Sequence, residues 1–115
     1  MAGLTTHVLD TTSGRPAAGV EIELFEFTPA GRSFIARAKT NADGRTDAPL
    51  IPAAQARMGT FELVFHIGAY FAAKGVAPPP FLDLVPIRFG IADPAAHYHV
   101  PLVATPWSYS TYRGS

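Results

Sequence analysis

Hydrophobic and polar positions alternate with a period of two in several short stretches of this chain. In VEIELFEF, Val20, Ile22 and Leu24 alternate with Glu21 and Glu23. In FELVFHI, Phe61, Leu63, Phe65 and Ile67 alternate with Glu62, Val64 and His66, and in PIRFGI, Ile87, Phe89 and Ile91 alternate with Arg88 and Gly90. Successive side chains of a strand point to opposite faces, so each stretch reads as a strand with one face on a core. Turn-forming clusters lie between them: TSGRP, TPAGRS, NADGRTD and ADPAAH. Short strands at this spacing, separated by such turns, predict a β-sandwich.

Eleven prolines and ten glycines break the chain too often for long helices. The single predicted helix is GAYFAAKG, Gly68 to Gly75, with its body near 69–75. The APPPF segment after it reads as a rigid, extended loop. No repeat, low-complexity segment or linker interrupts the pattern, so the expectation is one domain over residues 1–115.

Composition narrows the function classes. Of the 115 residues 48% are hydrophobic and 16% charged, which suits a folded core rather than disorder. Nine basic and nine acidic residues cancel, and the arginines are scattered singly. Nucleic acid and anionic membranes are therefore disfavoured as partners. There is no cysteine, which excludes disulfides, thiolate metal sites and cysteine nucleophiles. No signal peptide or membrane span is visible, so the expectation is a soluble cytoplasmic domain.

The candidate chemistry lies in histidines and arginines. In LTTHVLD, an extended backbone puts Thr5, His7 and Leu9 on one face and Leu4, Thr6 and Val8 on the other. From this segment alone, a solvated sheet face accounts for His7. His97 and His99 in HYHV share a face of their strand, and three readings stay open: exposed side chains, a general base, or two of the ligands of a zinc site. Spacing alone favours exposure, and no third metal ligand is marked. Arg45 follows Asp43-Gly44, a hairpin-type turn pair. An arginine there is ordinarily solvated and gains interest only if the fold brings it near the histidines. His66 lies opposite the apolar face of its strand and reads as structural or exposed.

LTTHVLD, TSGRPAAGVEIELF, DGRTD, FELVFHIGAYF and the closing HYHVPLVATPWSYSTYRGS together resemble the transthyretin-related 5-hydroxyisourate hydrolases over nearly the whole chain. The terminal Tyr-Arg-Gly-Ser after HYHVPL separates these hydrolases from transthyretin, the hormone carrier of the same fold. The resemblance implies an all-β, transthyretin-like two-sheet sandwich with one short helix. It also implies a homotetramer built as a dimer of dimers, with active sites in the cleft where the dimers meet. The implied reaction is hydrolysis of 5-hydroxyisourate to 2-oxo-4-hydroxy-4-carboxy-5-ureidoimidazoline, with no metal or organic cofactor.

Carried over by position, the resemblance implies catalytic roles for His7, Arg45, His99 and Ser115. It implies substrate binding by His7, Arg45, His99, Tyr112, Arg113 and Gly114. His99 rather than His97 is the implied catalytic member of the pair. His66 departs from the family, where aspartate is commoner, at a position outside the active site. Three rival readings are a non-catalytic carrier of a small hydrophobic ligand, a metal-dependent hydrolase built on His97 and His99, and a purely structural sandwich.

Overall fold

The computed structural model describes residues 2–114. Eight strands run in chain order: β1 (Gly3–Asp10), β2 (Arg15–Pro16), β3 (Glu21–Thr28), β4 (Gly31–Lys39), β5 (Gly59–His66), β6 (Leu84–Ile91), β7 (His97–Ala104) and β8 (Tyr109–Thr111). They form two four-stranded sheets, ordered β2-β1-β7-β8 and β4-β3-β5-β6. All neighbouring strands are antiparallel except β1 and β7, which run parallel. This is the two-sheet sandwich that the alternation predicts.

The core lies between the sheets, filled by the apolar faces read from the sequence. Ile22, Leu24, Phe61, Leu63 and Phe65 from one sheet meet Leu4, Val8 and Leu102 from the other, all fully enclosed. Each such side chain contributes about 1.5–3 kcal/mol through the apolar surface it removes from water. Two polar residues of β1 also point inward. Thr6 donates its hydroxyl to the Val100 carbonyl at 2.7 Å, and Asp10 accepts from the Tyr70 hydroxyl at 2.9 Å. Most buried polar groups in folded proteins are so paired.

Strand β4 has no clear alternation in the sequence, for two physical reasons. It is an edge strand and mostly exposed. It also carries an extra residue, Ile35, where the register against β3 shifts between Leu24 and Phe25. Such a bulge breaks the period of two.

The helix, α1, spans Ile67–Ala73, beginning and ending earlier than the glycine boundaries predict. Gly68 lies inside it because that turn packs tightly: a Cβ there would come within 2.7 Å of an Asp83 carboxylate oxygen. Gly75, at φ 98°, turns the chain out of the helix. A short 3-10 turn at Ala53–Gln55, after Pro52, adds a second helical element that the sequence pattern did not mark. The proline-rich stretch after α1 contains no strand or helix. Among the described residues, no helix is long and apolar enough to cross a membrane.

Candidate active site

On β1, Leu4, Thr6 and Val8 are buried while Thr5 and His7 lie half-buried on the outer face of the sheet. On β7, His97 and His99 share that outer face, with Tyr98 and Val100 pointing the other way. The parallel register sets Thr5 opposite His99 and His7 opposite Pro101. Residues more than ninety positions apart in sequence thereby become neighbours. Thr5 Oγ1 lies 2.8 Å from His99 Nδ1 and 3.0 Å from His97 Nε2. The two imidazole planes are within 14° of parallel, with centroids 6.5 Å apart.

Arg45 reaches this face through the chain that leaves β4. Asn41 organises the turn: its side-chain oxygen accepts from the backbone N–H groups of Asp43 and Arg45. The Gly44 carbonyl then accepts from the Val8 N–H at 2.8 Å, and His7 and Arg45 form an antiparallel bridge. Residues directly opposite in such a bridge project to the same side. Gly44 is required here, because φ is 76° and a Cβ would lie 2.5 Å from the Val8 carbonyl oxygen. The Asp43-Gly44 pair thus turns the chain across to the other sheet instead of closing a hairpin.

The segment after β8 forms the opposite wall. The Gly114 N–H donates to the His99 carbonyl at 2.8 Å, and the two residues pair as a bridge. A Cβ on Gly114 would come within 2.5 Å of His99 Cδ2, so the imidazole occupies the space a side chain would need. Arg113 turns away from the histidines. Its guanidinium lies 4.1 Å above the Tyr98 ring, and Nη2 donates a long hydrogen bond, 3.5 Å, to the His97 carbonyl. Tyr112 is largely exposed. Ser115 lies outside the described residues.

The structure therefore gathers His7, Arg45, His99 and Gly114 on one face and places Arg113 against Tyr98. Two further side chains join them. Thr5 entered the sequence reading only as a face-mate of His7, and His97 was set behind His99. The period-two spacing of both with recognised residues is the signal that finds them. A shallow cavity of about 160 Å³, lined in part by Thr5, Arg45, Thr46 and Pro49, opens beside the group. Among the described residues, no group of three His, Cys, Asp or Glu side chains is arranged to hold a metal ion.

Burial and neighbouring charge favour the neutral form of His7 and His99. Burial, and then the Arg45 charge, push the His7 pKa below the ordinary histidine value; the Asp43 backbone and carboxylate oppose this but do not reverse it. His99 is lowered by burial first, then by Arg45, His7 and His97. A neutral imidazole beside a guanidinium can take a proton from water or donate a hydrogen bond to a developing oxyanion.

His66 stands apart from this group. It is half-buried at the end of β5, where its Nε2 lies 2.8 Å from a Glu23 carboxylate oxygen. That is a structural hydrogen-bonding position.

Residues 4–114 match the HIUase/Transthyretin family. The chain is 58% identical over 114 residues to the 5-hydroxyisourate hydrolase of Deinococcus radiodurans, covering 98% of this chain and 96% of that protein. Its structure superposes on that of an (S)-allantoin synthase with a TM-score of 0.91 at 45% identity, covering 98% of this chain but only 43% of the other. It also matches transthyretin from Sparus aurata, with a TM-score of 0.89 at 28% identity and coverage of 99% and 97%. With the family match running from the second residue of β1 to the glycine that seats His99, this chain belongs to the HIUase/Transthyretin family.

Proposed function

We propose that this chain hydrolyses 5-hydroxyisourate to 2-oxo-4-hydroxy-4-carboxy-5-ureidoimidazoline. The observation that carries the reading is the meeting of His7, His99 and Arg45 on one sheet face, where burial and the Arg45 charge lower the pKa of both imidazoles. Opening the ring requires water directed at a carbonyl carbon, a base for its proton, and donors for the oxygen that becomes negative. His7 and His99 orient and deprotonate the water. Arg45 holds the substrate, since its planar fork suits carbonyl and enolate-like oxygens. Tyr112 and Arg113 hold the end of the chain, a role supported by the packing of Arg113 on Tyr98. Ser115 serves by hydrogen-bonding an imidazole.

The carrier reading is less well supported. Half-buried imidazoles beside a guanidinium suit a polar, reactive ring, whereas an apolar ligand would leave their nitrogens unpaired. The 58% identity to a protein named as a hydrolase points the same way, against 28% to a transthyretin. An ultraviolet time course with freshly prepared 5-hydroxyisourate tests the proposal. Catalysed decay well above the spontaneous rate supports it, and an unchanged rate rejects it.

Within this reading the protein works in the cytoplasm as a dimer of dimers. Both sheets end in open edges, β6 in one and β8 in the other. Unpaired strand edges favour pairing with another chain. Residues of β6, together with Thr111, Tyr112 and Arg113, line one cavity of about 370 Å³, so the two edges lie on the same side of the sandwich. Phe81, Leu84, Trp107 and Tyr109 are exposed around them. A net charge of zero offers little repulsion between copies.

A further inference from the structure

Thr5 has one hydroxyl proton and two imidazole nitrogens within hydrogen-bonding distance, His97 Nε2 at 3.0 Å and His99 Nδ1 at 2.8 Å. A hydroxyl donates once and accepts through its lone pairs, while a neutral imidazole carries one N–H. The Thr5 hydroxyl proton has no other acceptor among the described residues, so that proton and both contacts are satisfied together when one ring donates to Thr5 and the other accepts from it. The protonation of the two rings is therefore coupled through a single oxygen.

The enclosure of His97 selects between the two arrangements. Its other nitrogen, Nδ1, is buried, and no group among the described residues reaches it. A buried donor without a partner is rarer and costlier than an under-used acceptor. His97 accordingly carries its proton on Nε2 and donates to Thr5, whose hydroxyl donates to His99 Nδ1. We infer that Thr5 and His97 are positioning residues that lock His99 with its proton on Nε2, making His99 a neutral hydrogen-bond donor to the substrate and leaving His7 as the base.

His7 is configured for that part. It shares the outer face with His99 and is held beside Arg45 by their bridge, and burial and the Arg45 charge lower its pKa. Given the hydrolase reading, on which this inference rests, the steps balance. Water adds to the ring carbonyl carbon as the His7 imidazole takes one of its protons, and the oxyanion accepts a hydrogen bond from His99 Nε2–H. The C–N bond then breaks and its nitrogen recovers the proton from His7. His99 remains neutral throughout, as its burial beside Arg45, His7 and His97 requires.

Two measurements test the lock. Imidazole ¹⁵N NMR of the wild-type protein, with each ring assigned, should show both His97 and His99 protonated at Nε2. His99 protonated at Nδ1 overturns the inference, and this measurement needs no turnover, so it stands even if the hydrolase reading fails. In the rate assay, Thr5→Val should lower kcat about tenfold to a hundredfold with KM within about twofold, because the loss approaches that of one oxyanion donor. Thr5→Ser, which keeps the hydroxyl, should recover most of the rate. His97→Phe should act in the same direction and add little in the Thr5→Val background. A Thr5→Val protein with wild-type kcat, or penalties that simply multiply, overturns it.

Discussion

The Gly114 N–H donates to the carbonyl of His99 at 2.8 Å, while the His99 ring fills the space where a Gly114 side chain would stand. One residue thus fixes the backbone of the imidazole and leaves room for its ring. The absence of a side chain at position 114 is what makes both contacts compatible.

Gly114→Ala should therefore displace the imidazole without unfolding the sandwich. The added Cβ would lie 2.5 Å from Cδ2, so the ring must rotate or shift. A displacement of about 1 Å in a reacting group costs about 10²-fold in rate. The expected outcome is a loss of that size in kcat/KM with an unchanged far-ultraviolet circular dichroism spectrum. Wild-type kcat/KM in this variant would remove His99 from the mechanism.

The pH profile follows from the neutral imidazoles. Burial and Arg45 hold His7 and His99 below the ordinary value of 6.5. The base form is the active one, so activity falls as the pH drops through the lowered value, and the acid limb of kcat/KM lies below pH 6.5. Arg45→Gln removes the second-largest cause at each ring and leaves burial, the largest, in place. Its limb should move upward toward 6.5, in addition to any loss of height from weaker substrate binding. A limb that stays in place would show that the Arg45 charge is not felt at the base.

Tyr70→Phe should cost stability rather than chemistry. Thr12 and Ser13 donate backbone N–H groups to Asp10 Oδ1, and Tyr70 alone donates to Oδ2. Burial raises the Asp10 pKa, but the hydrogen bonds from Tyr70 and the turn outweigh it and leave it lowered; the Tyr70 phenol is pushed up to about 12. Removing the donor should cost about 1.5–3 kcal/mol in urea unfolding at pH 7. A depressed carboxylate stabilises the fold above its unfolded value of 3.8, and that contribution is lost as the pH falls through the folded value. The difference between wild type and variant should close over that range, with kcat little changed.

Phe81→Asp tests the assembly. Phe81 is 76% exposed, an unusual position for a phenylalanine unless another surface covers it. A charge buried in an interface without a partner is strongly disfavoured. Sedimentation equilibrium should show the variant shifting toward the mass of a single chain, and activity should fall with it if the site lies between dimers. A single-chain mass for the wild type, or an unshifted oligomer in the variant, would reject this account.

The alternation of Ile22 and Leu24, of Phe61, Leu63 and Phe65, and of Ile87 and Ile91 was sufficient to determine strands and the face each turns to the core, because strand geometry converts period two directly into sidedness; that β5 also buries Glu62 and Val64 on its other face was decided by tertiary packing. The same local rule placed Thr5 with His7, and His97 with His99. It could not bring the two pairs together. Which strands neighbour each other, and in what register, depends on contacts between distant residues, and a local pattern does not encode them. The parallel pairing of β1 with β7 set Thr5 against His99. The crossing at Gly44 carried Arg45 to His7, and the bridge at Gly114 closed on His99. Tertiary structure also decided the direction in which His7 and His99 are shifted, because burial and neighbouring charge act through space and favour the neutral ring.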